Sequence, residues 1–425
     1  MLMSETVRLE YGETGLDLDL EGVNATIIRP RFIPGLEDEV AAFVEAARRP
    51  IGGAPLRERI GAGDSVAVAI PDITRALPNE RLLPWLFAEL DHVPDGNITI
   101  VVGTGTHRGN TEAELRRMVG DSIYERYRIV NHDARDADTL VEVGRSRFGY
   151  PVSFNREYAR ADRRILLGFI EPHFMAGFSG GYKACFPGVA GLDAIMHYHS
   201  VANIADPHST WGRFEGNPTQ DHVRAAGSLL PVDFLLNVTL NVRKEITRFF
   251  CGDVIEAHEA GCAYARETTM AGVAQPFPIV ITTNSGAPLD LNLYQTVKGM
   301  SAAHQITSEG GLILTAARCN DGFPEHGQFK QMLFRYGSAR EALDAIGEPG
   351  FSEVDRWQVQ LLALIVQKNR VGLYSELADE EVKRAYLTPI ADLRSSLDEE
   401  LDRIGRDARV AILPEGPLTI PYLEN

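Results

Sequence analysis

Short, nearly continuous apolar runs recur along the chain, and most lead through a loop into a stretch with helical spacing. Ser65–Ile70 reads SVAVAI, Ile98–Val102 reads ITIVV, and Arg128-Ile129-Val130 is a shorter run of the same kind. Ile165–Ile170 (ILLGFI) and Phe234–Leu240 (FLLNVTL) complete the series. Helical spacing falls at Leu36–Arg49, near Asn79–Leu90 and Thr111–Met118, and from Asp253 to about Met270. Strand–loop–helix alternation of this type predicts a mostly parallel sheet covered by helices on both faces. Only Leu16-Asp17-Leu18-Asp19-Leu20 alternates strictly, which predicts a hairpin or edge strand near the start.

Pro276-Phe277-Pro278 interrupts the pattern before a new apolar run, Ile279–Thr282. The alternation then resumes. A helix is expected from about Leu291, a strand at Gly311–Ala316, helices near 324–335, 338–346 and 353–367, and weak strands near 371–375 and 409–413. The expected fold is two α/β domains with mostly parallel sheets and an active-site cleft between them. The division falls at 1–272 and 273–425, with some terminal segments able to cross over.

A chain of 425 residues, 44% hydrophobic and 24% charged, has ample apolar surface for two cores. Its 59 acidic against 42 basic residues give a formal charge of -17. That field repels nucleic acid and anionic membrane surfaces, but leaves a small anionic substrate possible where a local arginine or lysine overrides it. Cys185, Cys251, Cys262 and Cys319 form no C-x-x-C pair, so a structural zinc site is not expected and a reducing compartment fits. With no apolar signal core and no membrane-length apolar run, the expected location is cytoplasmic.

In open α/β sheets ligands bind at the carboxyl ends of the strands, and the chemistry-bearing residues fall there. Asp72 and Arg75 follow the first run, Gly103, Gly105 and His107 the second, and His173 the Ile165–Ile170 run. Gly103-Thr104-Gly105-Thr106-His107-Arg108 is a glycine turn that lets backbone approach a ligand, although it is not G-x-G-x-x-G. Asp72-Ile73-Thr74-Arg75 reads either as an ordinary turn and cap or as an anion clamp. Two histidines at equivalent strand ends suit proton exchange near neutrality. Gly177-Phe178-Ser179-Gly180-Gly181-Tyr182-Lys183 is a bed of mostly small residues able to form an anion-binding nest. Lys183 reads as a phosphate-binding cation, a covalent anchor or a solvated residue. His197 and His199 lie two apart and do not share a helical face, so at most one would ligate a given metal, and spacing prefers neither. Gln295 and Lys298, three apart, share a helix face, which reads as a polar surface or an anion site. Trp357 reads as a core or interface residue.

Taken in order, these segments resemble the nickel-dependent lactate racemase family. The similar pieces are Asp72–Arg75, Gly105-Thr106-His107-Arg108, Glu171-Pro172-His173, Gly177–Lys183, Phe186-Pro187-Gly188, His199-Ser200, Gly216-Asn217-Pro218 and Tyr294–Gly299, spanning about residues 60–360. The resemblance implies a nickel-pincer nucleotide, a pyridinium mononucleotide holding nickel through two sulfurs and a ring carbon. It implies that Lys183 carries this group covalently and that His199, rather than His197, is the protein ligand to nickel. A soft ligand set completed by one imidazole suits square-planar nickel.

The implied reaction is racemisation or epimerisation of a 2-hydroxy carboxylic acid, lactate-like or larger, by proton-coupled hydride transfer through a planar 2-keto acid. His107 and His173 would alternate as base and acid. Arg75 and Lys298 would hold the carboxylate, Gln295 would orient the substrate, Asp72 would position Arg75 or a histidine, and Trp357 would line the cleft. Expected partners are a small 2-hydroxy acid and the cofactor-synthesis proteins, with neither nucleic acid nor membrane. One departure stands out: relatives commonly carry a histidine where this chain has Gln220. The competing readings are a nicotinamide-dependent 2-hydroxy acid oxidoreductase and a non-catalytic organic-anion or phosphate-binding protein.

Overall fold

The computed structural model describes residues 6–324 and 327–424, so residues 325 and 326 of the expected 324–335 helix lie outside it. The chain forms two compact units. One comprises 32–199 and 208–268; the other comprises the described residues up to Arg31, 200–207, and those from Thr269 onward.

The first unit is built on a six-stranded sheet in the order Ile246–Gly252, Phe234–Leu240, Arg163–Phe169, Val66–Pro71, Ile98–Gly103, Arg128–Asn131. Every neighbouring pair is parallel except the first, where Ile246–Gly252 runs antiparallel. The chain steps outward from Val66–Pro71 to one side, then returns to build the other side from Arg163–Phe169. The sheet therefore reverses its direction of growth between these two central strands. Such a switch point opens a crevice at the strand ends, where ligands bind in folds of this kind.

Alternation within Val66–Pro71 sorts the two faces. Val66, Val68 and Ile70 join the core with Leu82, Leu86 and Phe43 of the covering helices. Ala67 and Ala69 point to the other face, where Tyr182, Phe186, Ile195 and Tyr198 pack. Small residues on that face let the aromatic-rich segment after Gly177 lie close against the sheet. Several elements were not anticipated: the hairpin Leu140–Arg145 with Pro151–Asn155, the helices Leu192–Tyr198 and Pro218–Gly227, and the antiparallel Ile246–Gly252 strand. Their sequences mix polar and apolar residues too irregularly to announce a period.

The second unit is built on a six-stranded sheet, all parallel, in the order Thr388–Pro389, Arg370–Tyr374, Thr307–Ala316, Phe277–Thr283, Arg409–Leu413, Asn24–Ile27. Asn24–Ile27 is the edge strand, which puts the chain's start in this unit rather than with residues 32–268. The hairpin Thr6–Leu9 with Leu16–Asp19 adds Val7, Leu9 and Leu18 to a core with Ile279, Ile412 and Leu397. The described residues up to Arg31, like 200–207, therefore belong to this unit. The Asn24–Ile27 edge strand is mostly exposed, so hydrophobic patterning gave no hint of its partner. Growth of this sheet reverses at Phe277–Thr283, and the helix Leu293–His304 follows that strand.

Among the described residues no helix is long and apolar enough to cross a membrane. All four cysteines are free and buried.

Candidate active site

Asp72 stands at the end of the Val66–Pro71 strand and is 4% exposed. Its Oδ1 accepts hydrogen bonds from the Thr74 amide (3.1 Å) and hydroxyl (2.6 Å), and its Oδ2 meets His107 Nδ1 at 2.8 Å. Burial pushes the carboxyl up, but the hydrogen bond and charge of His107, then Arg75 and Thr74, outweigh it and hold Asp72 below its ordinary value. An ionised carboxylate can only accept, so His107 Nδ1 carries the hydrogen, which in the neutral ring leaves the lone pair on Nε2. The turn after Ile98–Gly103 delivers His107, whose amide donates to the Thr104 carbonyl at 2.9 Å. Arg75 is exposed, with Nη1 3.2 Å from Thr74 Oγ1.

His173 comes from the neighbouring Arg163–Phe169 strand, on a short ladder in which Pro172–His173 pairs with Gly177–Phe178. Its Nδ1 accepts from the Met175 and Ala176 amides, each at 3.2 Å. Nδ1 therefore carries the lone pair and the neutral ring bears its hydrogen on Nε2, the reverse of His107. Phe174 stacks on the His173 ring, centroids 4.8 Å apart. Gly177 closes the turn at φ 76°, where a Cβ would stand 1.9 Å from the Arg213 carbonyl oxygen. Asn217, fully buried, donates to the carbonyls of Met175 (2.8 Å) and Arg213 (3.0 Å) while its Oδ1 caps the Pro218–Gly227 helix at Gln220 N (3.1 Å). The Gly216-Asn217-Pro218 segment thus anchors the His173 loop. Gln220 is itself buried, and its Oε1 has no hydrogen-bond partner among the described residues.

The lysine segment is held from three directions. Ser179 Oγ donates to the Phe169 carbonyl (2.9 Å) and accepts from the Glu171 amide (3.0 Å). The Gly181 amide donates to Asn237 Oδ1 at 2.8 Å, and the Gly105 amide donates to the Gly188 carbonyl at 2.9 Å. That last bond joins the His107 turn to the loop that carries Lys183. A Cβ at Gly103 would come within 3.2 Å of Gly188, so the two loops meet glycine to glycine.

Lys183 is half-buried, with Nζ 3.5 Å from the Tyr198 hydroxyl. Burial pushes the Tyr198 phenol well up, so it stays protonated. The Tyr198 ring lies edge-on to His199, centroids 4.2 Å apart, so Lys183 and His199 border the same buried tyrosine. His199 caps the Leu192–Tyr198 helix, and its Nδ1 lies 3.2 Å from the Ile195 carbonyl. A carbonyl only accepts, so His199 Nδ1 bears the hydrogen, and in the neutral ring Nε2 would be the atom to meet a metal. His197 faces elsewhere: it is exposed and stacks on Tyr150 at 4.7 Å with rings 7° apart. Among the described residues no group of three or more His, Cys, Asp or Glu side chains could hold a metal. A metal at His199 would therefore need ligands from elsewhere.

In the second unit, Lys298 Nζ donates to Gln295 Oε1 at 2.7 Å on the first turns of the Leu293–His304 helix, which Asn292 caps through the Gln295 amide. Trp357 is 4% exposed, and its Nε1 donates to the Tyr294 hydroxyl at 3.3 Å. Gln295 and Lys298 share one helix, and Trp357, from the Arg356–Lys368 helix, contacts it at Tyr294.

Sequence reasoning gave no part to Tyr198, Asn237 or His258, and quoted Asn217 only within Gly216-Asn217-Pro218. Asn237 lies mid-strand in FLLNVTL, where an amide interrupts an apolar run, and that break was the available signal. His258 sits unremarkably in a polar helix pattern, and nothing local marks it.

Two family models match the chain: the lactate racemase N-terminal domain over residues 11–212 and the lactate racemase C-terminal domain over residues 273–420. The chain is 30% identical over 419 residues to the lactate racemase of Thermoanaerobacterium thermosaccharolyticum, covering 96% of this chain and 97% of that one. It is 34% identical over 371 residues to the lactate racemase of Lactiplantibacillus plantarum, covering 86% and 87%. The solved lactate racemase apoprotein from T. thermosaccharolyticum superposes with a TM-score of 0.92 at 30% identity, over 98% of this chain and 99% of that one. A Thermotoga maritima protein shares the fold at a TM-score of 0.69 and 18% identity, over 93% of this chain and 100% of that one.

Proposed function

The chain belongs to the lactate racemase family, whose members are isomerases, and from that premise we propose that it interconverts the enantiomers of a 2-hydroxy acid, lactate being the first to assay. The observation that carries this reading is the delivery of two histidines at the ends of the strands flanking Val66–Pro71. His107 presents a lone pair on Nε2, and His173 presents a hydrogen on Nε2. A racemase that moves the hydroxyl proton needs one group to take it from one hand and another to return it for the other hand. Neutral His107 would take the hydroxyl proton of one hand on Nε2, His173 would return a proton only after taking up a second one, and the reverse reaction exchanges those roles. Asp72 keeps His107 in its tautomer, as a buried carboxylate does for a catalytic imidazole.

The residues also fit a nickel-pincer nucleotide. A lysine amine at Lys183 and a single imidazole at His199, both bordering Tyr198, offer an anchor and one metal ligand. When bound, that group would supply the hydride acceptor and donor. Lys183 would hold it covalently, His199 would ligate nickel, and the cofactor-synthesis proteins would be partners in its assembly. By the family resemblance, Arg75, Lys298 and Gln295 are assigned to the substrate carboxylate and hydroxyl, and Trp357 to lining the substrate.

The deciding experiment is production with the cofactor-synthesis proteins, followed by intact-mass analysis and chiral chromatography of each lactate enantiomer. The reading expects an adduct on Lys183, nickel, and racemisation, all absent in Lys183→Ala. Racemisation by an unmodified Lys183 protein would overturn the cofactor assignment. If lactate is inert, the same loaded protein is screened against larger 2-hydroxy acids.

A further inference from the structure

Below the lysine loop lie two buried polar side chains with no assigned part in the reaction. Asn237, 0% exposed, sits in the middle of the Phe234–Leu240 strand, and His258, 2% exposed, on the Glu256–Thr269 helix. An amide and an imidazole buried in apolar surroundings are costly unless their hydrogen bonds are specified. Here both are directed at one loop, at residues two apart. Asn237 Oδ1 accepts from the Gly181 amide at 2.8 Å, while its Nδ2 donates to the Leu236 carbonyl at 3.0 Å. His258 Nε2 lies 2.8 Å from the Ser179 carbonyl, which fixes the hydrogen on Nε2.

Shape adds to the hydrogen bonds. A Cβ at Gly180 would stand 2.6 Å from Asn237 Oδ1, and one at Gly181 would stand 2.7 Å from the His258 ring at Cγ and Nδ1. Gly261, one turn further along the His258 helix, lets Ile170 pack where a Cβ would be only 2.1 Å from its Cδ1. The helix is thus seated directly against the loop that carries Lys183. Both glycines have positive φ, 81° and 56°, so the backbone is bent down onto this floor in a conformation other residues resist.

We infer that Asn237 and His258 are positioning residues that hold the Ser179–Lys183 backbone in the conformation presenting the Lys183 amine. Their partners are the Gly181 amide and the Ser179 carbonyl, two and four residues before the lysine. The part of this inference that concerns covalent attachment rests on the cofactor reading above; the part that concerns loop conformation does not.

The test compares His258→Leu, which keeps bulk but has no donor, with His258→Gln, whose amide N–H reaches about as far. Deuterium exchange of the 177–188 peptide is read in protein made without the cofactor-synthesis proteins. Adduct mass on Lys183 is read in protein made with them, and urea midpoints are recorded for all variants. Leu is expected to speed exchange in that peptide by about tenfold, the equivalent of one lost hydrogen bond, and to lower the adduct fraction. Gln is expected to return both most of the way, which a purely space-filling role for His258 would not produce. Unchanged exchange in the Leu protein, or no recovery with Gln, overturns the inference. Should His258→Leu not fold, Asn237→Leu is judged by the same exchange criterion. An unmodified wild-type Lys183 counts against the cofactor reading alone, because the exchange result is obtained without it.

Discussion

Asp72 Oδ2 holds the Nδ1 hydrogen of His107 at 2.8 Å, joining the ends of two adjacent parallel strands through a carboxylate that is almost fully buried. The pair is separated by 35 residues in sequence but stands side by side because Val66–Pro71 and Ile98–Gly103 are sheet neighbours in register.

This pairing predicts the effect of Asp72→Asn. The amide can present its N–H to His107 and favour the tautomer with its hydrogen on Nε2, removing the base. Racemisation should fall by on the order of 10²- to 10⁴-fold with the fold retained. Chiral product analysis together with a circular dichroism spectrum checks both halves. An active Asn variant would mean that His107 does not depend on this carboxylate.

The two neighbouring histidines should separate in metal analysis. His199→Ala should lose nickel from cofactor-loaded protein, whereas His197→Ala should retain it, because His197 is occupied in stacking on Tyr150. Elemental analysis of the two purified variants decides this. Equal nickel in both would remove His199 from its proposed role.

Gly177→Ala should be much more harmful than Gly149→Ala, although both glycines have positive φ, 76° and 88°. At Gly149 a Cβ meets nothing within 4 Å, so the cost is about 1 kcal/mol of backbone strain. At Gly177 the Cβ would stand 1.9 Å from the Arg213 carbonyl oxygen, and backbone must move. A loss of roughly 2–4 kcal/mol is expected from the urea midpoint, with the His173 loop displaced.

Acid should weaken the fold through buried histidines. Burial lowers His258 to about 4; the Ser179 carbonyl and Glu259 oppose the shift, whereas Arg224 and Lys183 add to it. Burial, then the charge of His197, lowers His222 to about 4 as well. The unfolded chain takes up protons near pH 6.5 that the folded protein refuses. Each histidine's contribution is therefore complete above pH 6.5 and declines as pH falls toward 4. For His258 the slope is up to about 1.4 kcal/mol per pH unit. His258→Leu should flatten the stability profile between pH 6.5 and 4 relative to wild type, measured by urea unfolding at several pH values.

Hydrophobic periodicity alone determined the α/β class, the mostly parallel sheets and nearly every central strand, because strands buried on both faces must be apolar throughout. It also placed His107, His173 and Lys183 after strands, where the polypeptide must leave the sheet. The resemblance in motif order then attached roles to those positions.

Tertiary structure alone decided which partners each group meets. Spacing could not choose between His197 and His199, since the difference lies in Tyr150, Tyr198 and the Ile195 carbonyl. Nor could it assign Asp72 to His107, give the two catalytic candidates opposite tautomers, or find Asn237 and His258 beneath the lysine loop. Asp72 to His107, Asn237 to Gly181 and His258 to Ser179 are contacts between residues tens of positions apart, set by strand order and by which glycines allow close approach. A one-dimensional pattern records burial well because burial repeats with the period of the backbone. Hydrogen-bond partnership follows no such period and becomes definite only once the sheet is assembled.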